Sequence, residues 1–116
     1  MILGLPEEEI VLPGNSSCAG CGGTLALRHT LKALGRRTII VVPACCTSVI
    51  EGLYPKSALD IPTLNTAFAS AAAAASGIVA ALEARGTDDI TVLAWAGDGG
   101  TADIGIQALS GAAERG

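Results

Sequence analysis

Residues 89–106 read DITVLAWAGDGGTADIGI. The run from Asp89 to Gly97 is apolar on both faces, as a strand buried in a parallel sheet must be, and it breaks directly into glycine and aspartate. From Ala102 to Glu114 the residues are compatible with a helix. Working back from this strand and turn, a second β-branched run, TIIVVP at Thr38–Pro43, is the partner strand. Before it, Gly23–Leu34 sets Leu27, Leu31 and Leu34 on one helical stripe, and Gly35 with two arginines marks its stop. Between the two strands come a helical turn near Ser48–Leu53, a short third strand near Ile61, and a long Ala-rich helix over Ala67–Arg85 ending at Gly86. Helices alternating with strands predict an α/β fold, a mostly parallel sheet with helices on both faces joined by right-handed crossovers. Residues 1–116 read as a single domain with no internal repeat. A sheet this narrow leaves its edges exposed, so the expectation is a truncated domain or one that relies on partner chains.

The chain has 116 residues, half of them apolar, but only one Trp, one Tyr and one Phe. Its interior is therefore filled by Ala, Val, Ile and Leu, side chains small enough for backbones to approach closely. Seven basic residues against 11 acidic ones give a net charge of −4, which argues against nucleic acid as a partner. The N-terminal MILGLPEEEIVLPG is acidic where a secretory signal needs positive charge and lacks a continuous apolar core. The stretch from Ala67 to Ala84 is mostly alanine, with two serines and Glu83, and reads as a buried helix rather than a membrane span. A cytoplasmic protein is expected. In that compartment four cysteines point to metal or catalytic roles more than to structural disulfides.

Two places carry chemistry. In open parallel sheets ligands bind beyond the carboxyl ends of the strands, and Asp98 stands there among Gly97, Gly99 and Gly100. The glycines let backbone N–H groups approach a phosphate, and a helix starting near Thr101 would turn its positive end to the same spot. A carboxylate facing a diphosphate requires a cation between them, and Mg²⁺, which takes few protein carboxylates and shares phosphate oxygens, suits it. Equally, Gly-Asp-Gly-Gly is a good strand-to-helix turn with Asp98 or Asp103 capping. The second place is CAGCGG at residues 18–23. Cys18 and Cys21 have the spacing of a ligand pair, and Cys46, in PACCTS, follows the first strong strand toward the same sheet edge. Zinc wants a Cys/His quartet, and the one histidine, His29, reads as structural. A thioredoxin-like pair needs no distant third thiol. An iron–sulfur cluster takes four thiolates, so three here would require a fourth from elsewhere. Cys45 reads as a small buried residue.

The segments GNSSCAGCGGTLALRHTLKALG, PACCTSVIEG, NTAFASAAAAASGIVAAL and AGDGGTADIGIQAL resemble, in order and spacing, the β subunit of 2-oxoacid:ferredoxin oxidoreductases, above all the pyruvate branch. The likeness runs from about Pro13 to Gly116. It implies the diphosphate-binding half of a thiamine diphosphate fold, with residues 13–46 carrying cluster-binding loops and residues 89–116 the Mg²⁺-diphosphate segment. By this resemblance Cys18, Cys21 and Cys46 match three ligands of a 4Fe-4S cluster, and Asp98 matches the Mg²⁺ ligand. Gly97, Gly99, Gly100 and Thr101 then surround the diphosphate of thiamine diphosphate, with Cys46, Thr47 and Ser48 close to the cofactor. The family's motif continues past Gly-Asp-Gly to an Asn-bearing segment and a fourth cluster cysteine, neither found before Gly116, so the resemblance covers the N-terminal part of such a subunit. It implies oxidative decarboxylation of pyruvate to acetyl-CoA and CO₂, with coenzyme A as co-substrate, ferredoxin as electron acceptor, and α, γ and δ-type subunits as partners. No catalytic residue is expected from this chain, since the family's activating glutamate belongs to the α subunit. Non-redox thiamine enzymes of the decarboxylase or acetolactate synthase type share the Gly-Asp-Gly turn but have no use for the thiols, and a small zinc-binding domain is a third reading.

Overall fold

The computed structural model describes residues 4–116; the first three residues of the acidic N-terminal stretch lie outside the described residues. Along the chain run α1 (Gly22–Leu34), β1 (Thr38–Pro43), α2 (Cys46–Glu51), β2 (Thr63–Thr66), α3 (Ala71–Ala84), β3 (Thr91–Ala94), α4 (Asp98–Ala102) and α5 (Ile106–Arg115). All three strands are parallel, in the order β2-β1-β3. The most apolar strand, β1, takes the centre, where both its edges and both its faces are covered. Ile40 stands beside Thr63 and Leu93, and Val41 beside Leu64 and Ala94.

Neighbouring residues in parallel register share a face, and successive residues alternate between faces. On one face Ile40 and Val42 join Leu27 and Leu31 of α1 together with Leu59, Ile61, Ile10 and Val11, while Leu93 and Trp95 pack against this cluster. Each of the fully buried aliphatic side chains contributes about 1.5–3 kcal/mol by leaving water. On the other face α3 crosses β1 and β3, so that its Ala72, Ala75 and Val79 face Val92 and Ala94 across a shallow groove. The β1–β2 connection thus runs on the α1 side, and the β2–β3 connection, α3, on the opposite side. Strand order and connection sides together put a topological switch point between the carboxyl ends of β1 and β3, where open α/β sheets hold their ligands.

An N-terminal strap closes the α1 side. Val11 pairs with Leu59 in an antiparallel bridge, and the Nζ of Lys32, a buried lysine, donates to the carbonyls of Pro6, Glu7 and Glu8 at 3.0, 3.0 and 2.8 Å. Three carbonyls satisfy an ammonium that would otherwise be costly to bury.

Several boundaries differ from the sequence expectation. Leu34, the last residue of α1, lies beyond the cluster and is exposed, leaving Leu27 and Leu31 as the buried stripe. The helical turn after β1 begins at Cys46, two residues earlier than expected. The third strand forms at Thr63–Thr66, just after Ile61, which serves the core instead. Its pairing with β1 runs to Thr66, and Ser70 then donates its amide and hydroxyl to the carbonyl of Ala67, so α3 starts only at Ala71. β3 is limited to four residues. The expected last helix is split in two at Gly105, whose backbone presses so closely on the Gly100 carbonyl that a Cβ there would stand 1.7 Å from its oxygen. Among the described residues no helix is long and apolar enough to cross a membrane.

Candidate functional site

At the carboxyl end of β1 the chain passes through Ala44 and Cys45 into α2. Cys45 is half-buried and packs against the core; Cys46 is exposed; Thr47 is buried. The Ser48 hydroxyl donates to the Pro43 carbonyl at 3.1 Å and its amide to Cys45 O, also at 3.1 Å. Ser48 therefore holds the strand-to-helix turn closed.

At the carboxyl end of β3, Trp95 extends the ladder by donating its amide to Val41 O at 2.9 Å. The Gly97–Thr101 turn follows, and each of its glycines answers to different surroundings. A Cβ on Gly100, which is buried, would meet Pro43, Ala96 and the Phe68 carbonyl at 3.4 Å each, so this residue is wedged between the ends of all three strands. A Cβ on Gly99 would come within 2.9 Å of the Phe68 ring. Gly97 is exposed, has an ordinary φ of −74°, and a Cβ there would meet nothing within 4 Å. Nothing in the chain itself requires glycine at 97. The open volume in front of it is one that a side chain would fill and that a bound group can take instead.

Asp98 is exposed and begins α4, three residues ahead of the helix start expected near Thr101. At five residues this helix offers uncapped first-turn N–H groups rather than a long dipole. Thr101 is half-buried beside them. The fit to Mg²⁺-thiamine diphosphate is consistent at this turn: an exposed carboxylate, free backbone donors and an open glycine at the switch point.

The other thiols lie at the head of α1. The Cys21 amide donates to Cys18 O at 3.1 Å, and the Cys21 sulfur caps the helix by accepting from the Thr24 amide at 3.5 Å. Hydrogen bonding from Thr24 holds the Cys21 thiol below its usual range. The preceding loop is shaped by Asn15, which the sequence reading passed over: its Oδ1 accepts from the Ser17 amide and hydroxyl, and its Nδ2 donates to Leu12 O. α1 ends three residues before β1 begins, and its Leu27 and Leu31 share the core cluster with Ile40 and Val42. All four cysteines are free. Among the described residues, however, no three His, Cys, Asp or Glu side chains come together as a metal-holding group, so Cys18, Cys21 and Cys46 are not gathered into a preformed cluster site. His29 lines a recess of about 280 Å³ under the strap with Arg28 and Lys32.

Two features of this edge were missed in the sequence. Phe68, the lone phenylalanine of an aromatic-poor chain, lies on the glycine turn; its rarity and its place just after a strand were the available signal. Glu51, at the end of α2, is 5 % exposed; its Oε1 accepts from Asn65 Nδ2 at 2.5 Å while Oε2 is buried without a partner. Burial pushes its carboxyl above the usual range, against the opposing pull of Asn65.

Comparison with known proteins identifies the family. Residues 44–116 match the family described as "Thiamine pyrophosphate enzyme, C-terminal TPP binding domain". The chain is 55% identical over 112 residues to pyruvate synthase subunit PorB of Methanothermobacter thermautotrophicus, covering 97% of this chain and 39% of the relative. It is 54% identical over 119 residues to ketoisovalerate oxidoreductase subunit VorB of Pyrococcus horikoshii, covering 98% and 38%. With PorB of Methanocaldococcus jannaschii the identity is 47% over 123 residues, covering 100% and 41%. The chain thus spans about two fifths of the length of these curated relatives.

Proposed function

Because the chain belongs to the thiamine pyrophosphate enzymes, carrying their C-terminal TPP-binding domain over residues 44–116, we propose that it forms the diphosphate-binding part of a 2-oxoacid:ferredoxin oxidoreductase β subunit. The observation that carries this reading is the open glycine at 97, beside the exposed Asp98, at the switch point between β1 and β3. The reaction proposed is oxidative decarboxylation of pyruvate to acetyl-CoA and CO₂, with electrons passing to ferredoxin and with α, γ and δ-type subunits completing the enzyme.

When bound, thiamine diphosphate supplies the electron sink at the substrate's keto carbon. The work of this chain is binding and placement. Backbone N–H groups of the Gly97–Thr101 turn would hold the diphosphate and the Asp98 carboxylate would hold Mg²⁺, while Pro43 and Ala96 pack against Gly100 within the turn. Cys46 and Thr47 border the same edge, and Ser48 keeps their turn in shape. The proposed cluster ligands are Cys18, Cys21 and Cys46. Their support is their spacing and free state.

The test is Asp98→Asn in the assembled enzyme. Affinity for Mg²⁺-thiamine diphosphate is expected to fall at least about tenfold while iron content is unchanged; unaltered affinity removes Asp98 from the role. Matched identity to a ketoisovalerate oxidoreductase subunit favours a second reading, in which a branched 2-oxoacid is the substrate. Rates with pyruvate and 2-oxoisovalerate side by side, each with coenzyme A, separate the two.

A further inference from the structure

Phe68 stands outside every role assigned above, yet its position is singular. It stands two residues past the end of β2, its carbonyl lies against Gly100, and its ring tip comes within 2.9 Å of where a Cβ of Gly99 would stand. The residue is 44 % exposed, so core burial alone does not account for an aromatic group at this point. The turn it touches has no side-chain cap from Gly97. Backbone that must present its N–H groups to a ligand, but lacks its own side-chain restraints, needs its shape imposed from outside.

We infer that Phe68 is a positioning residue for the Gly97–Thr101 turn: its ring replaces the side chain that residue 99 lacks and braces the turn at Gly99. This assignment rests on the reading of the turn as the cofactor's diphosphate site. It also gives Gly99 a reason distinct from close approach to phosphate, namely room for the ring.

The experiment is a double-mutant cycle in the assembled enzyme, with Mg²⁺-thiamine diphosphate affinity measured by equilibrium dialysis. Phe68→Ala is expected to weaken binding about 3- to 10-fold, and Gly99→Ala, which pushes the ring from its seat, by a similar factor. Residues in contact couple, so the double variant should bind no more weakly than the worse single one. Phe68→Leu, which keeps most of the apolar volume, should restore most of the affinity. At saturating cofactor the KM for the 2-oxoacid and the iron content should match the unaltered enzyme, which a general loss of structure would not allow. Binding insensitive to Phe68, or losses that multiply in the double variant, overturn this inference alone. Failure of the unaltered enzyme to bind Mg²⁺-thiamine diphosphate overturns it together with the reading of the site.

Discussion

Two glycines of the same stretch, 97 and 105, are glycine for opposite reasons. At Gly105 a Cβ would stand 1.7 Å from the Gly100 carbonyl oxygen, backbone against backbone with no flexible side chain to yield. Gly105→Ala is therefore expected to destabilise the protein by about 3 kcal/mol or more, read as a fall in melting temperature, because the turn joining α4 to α5 must open. At Gly97 the φ of −74° suits any residue and the space is open. Gly97→Ala should melt with the unaltered protein, within about 0.5 kcal/mol, yet bind Mg²⁺-thiamine diphosphate measurably more weakly. A shared loss of stability at both positions would show that the open volume has no ligand to receive. The sequence singled out Gly97 and not Gly105; the structure separates a glycine that packing requires from one that packing does not.

Among the elements, the N-terminal strap is held largely by charge. Glu9 accepts from Arg28 and pairs with Lys32 at 2.9 Å, Glu8 pairs with Arg36, and Arg36 also reaches Asp60 at 2.6 Å. The Arg28 hydrogen bonds, followed by that of Lys32, bring the Glu9 carboxyl down from 4.5 to about 2. A depressed acid contributes its stabilisation fully above its unfolded value and loses it as pH falls through its folded value. Between pH 4.5 and about 2 the strap should loosen. Hydrogen exchange would report it through the Leu12 and Asp60 amides, which bond to Ala58 O and Ile10 O across the strap; protection unchanged by pH 2.5 would mean that Ile10 and Val11 hold it unaided. None of this was legible in the sequence, because the partners of Lys32 lie 24 to 26 residues away. The opposite holds for β1, whose unbroken β-branched run can only be a strand buried on both faces, and whose bounds were read directly. The start of α3 was obscured because Ala67, Ala69 and Ser70 are as small as the residues of the helix that follows, and Ser70 makes no side-chain cap to mark it. At the site, Asp98 and its glycines were legible as a local motif. Phe68 was not, since it reaches the turn across some thirty positions of chain.

For the whole molecule, the sheet leaves β2 and β3 as unpaired edges, and apolar side chains stand out from the surface, with Leu53 87 % and Tyr54 97 % exposed. Open strand edges invite pairing with other chains. The 116-residue chain in isolation should associate with rising concentration, seen by light scattering, and Thr91→Lys on the exposed start of β3 should reduce that association, since charge on an edge deters pairing. A monomer at all concentrations, with a sharp melt, would show that helices and loops already shield these edges. The strand order has one more consequence. β1 precedes β2 and β3 in the chain and is also the middle one of the three, so β2 and β3 each dock onto a free flank of it and neither has to be threaded between two paired strands. Assembly can proceed outward during synthesis, growing from a finished centre.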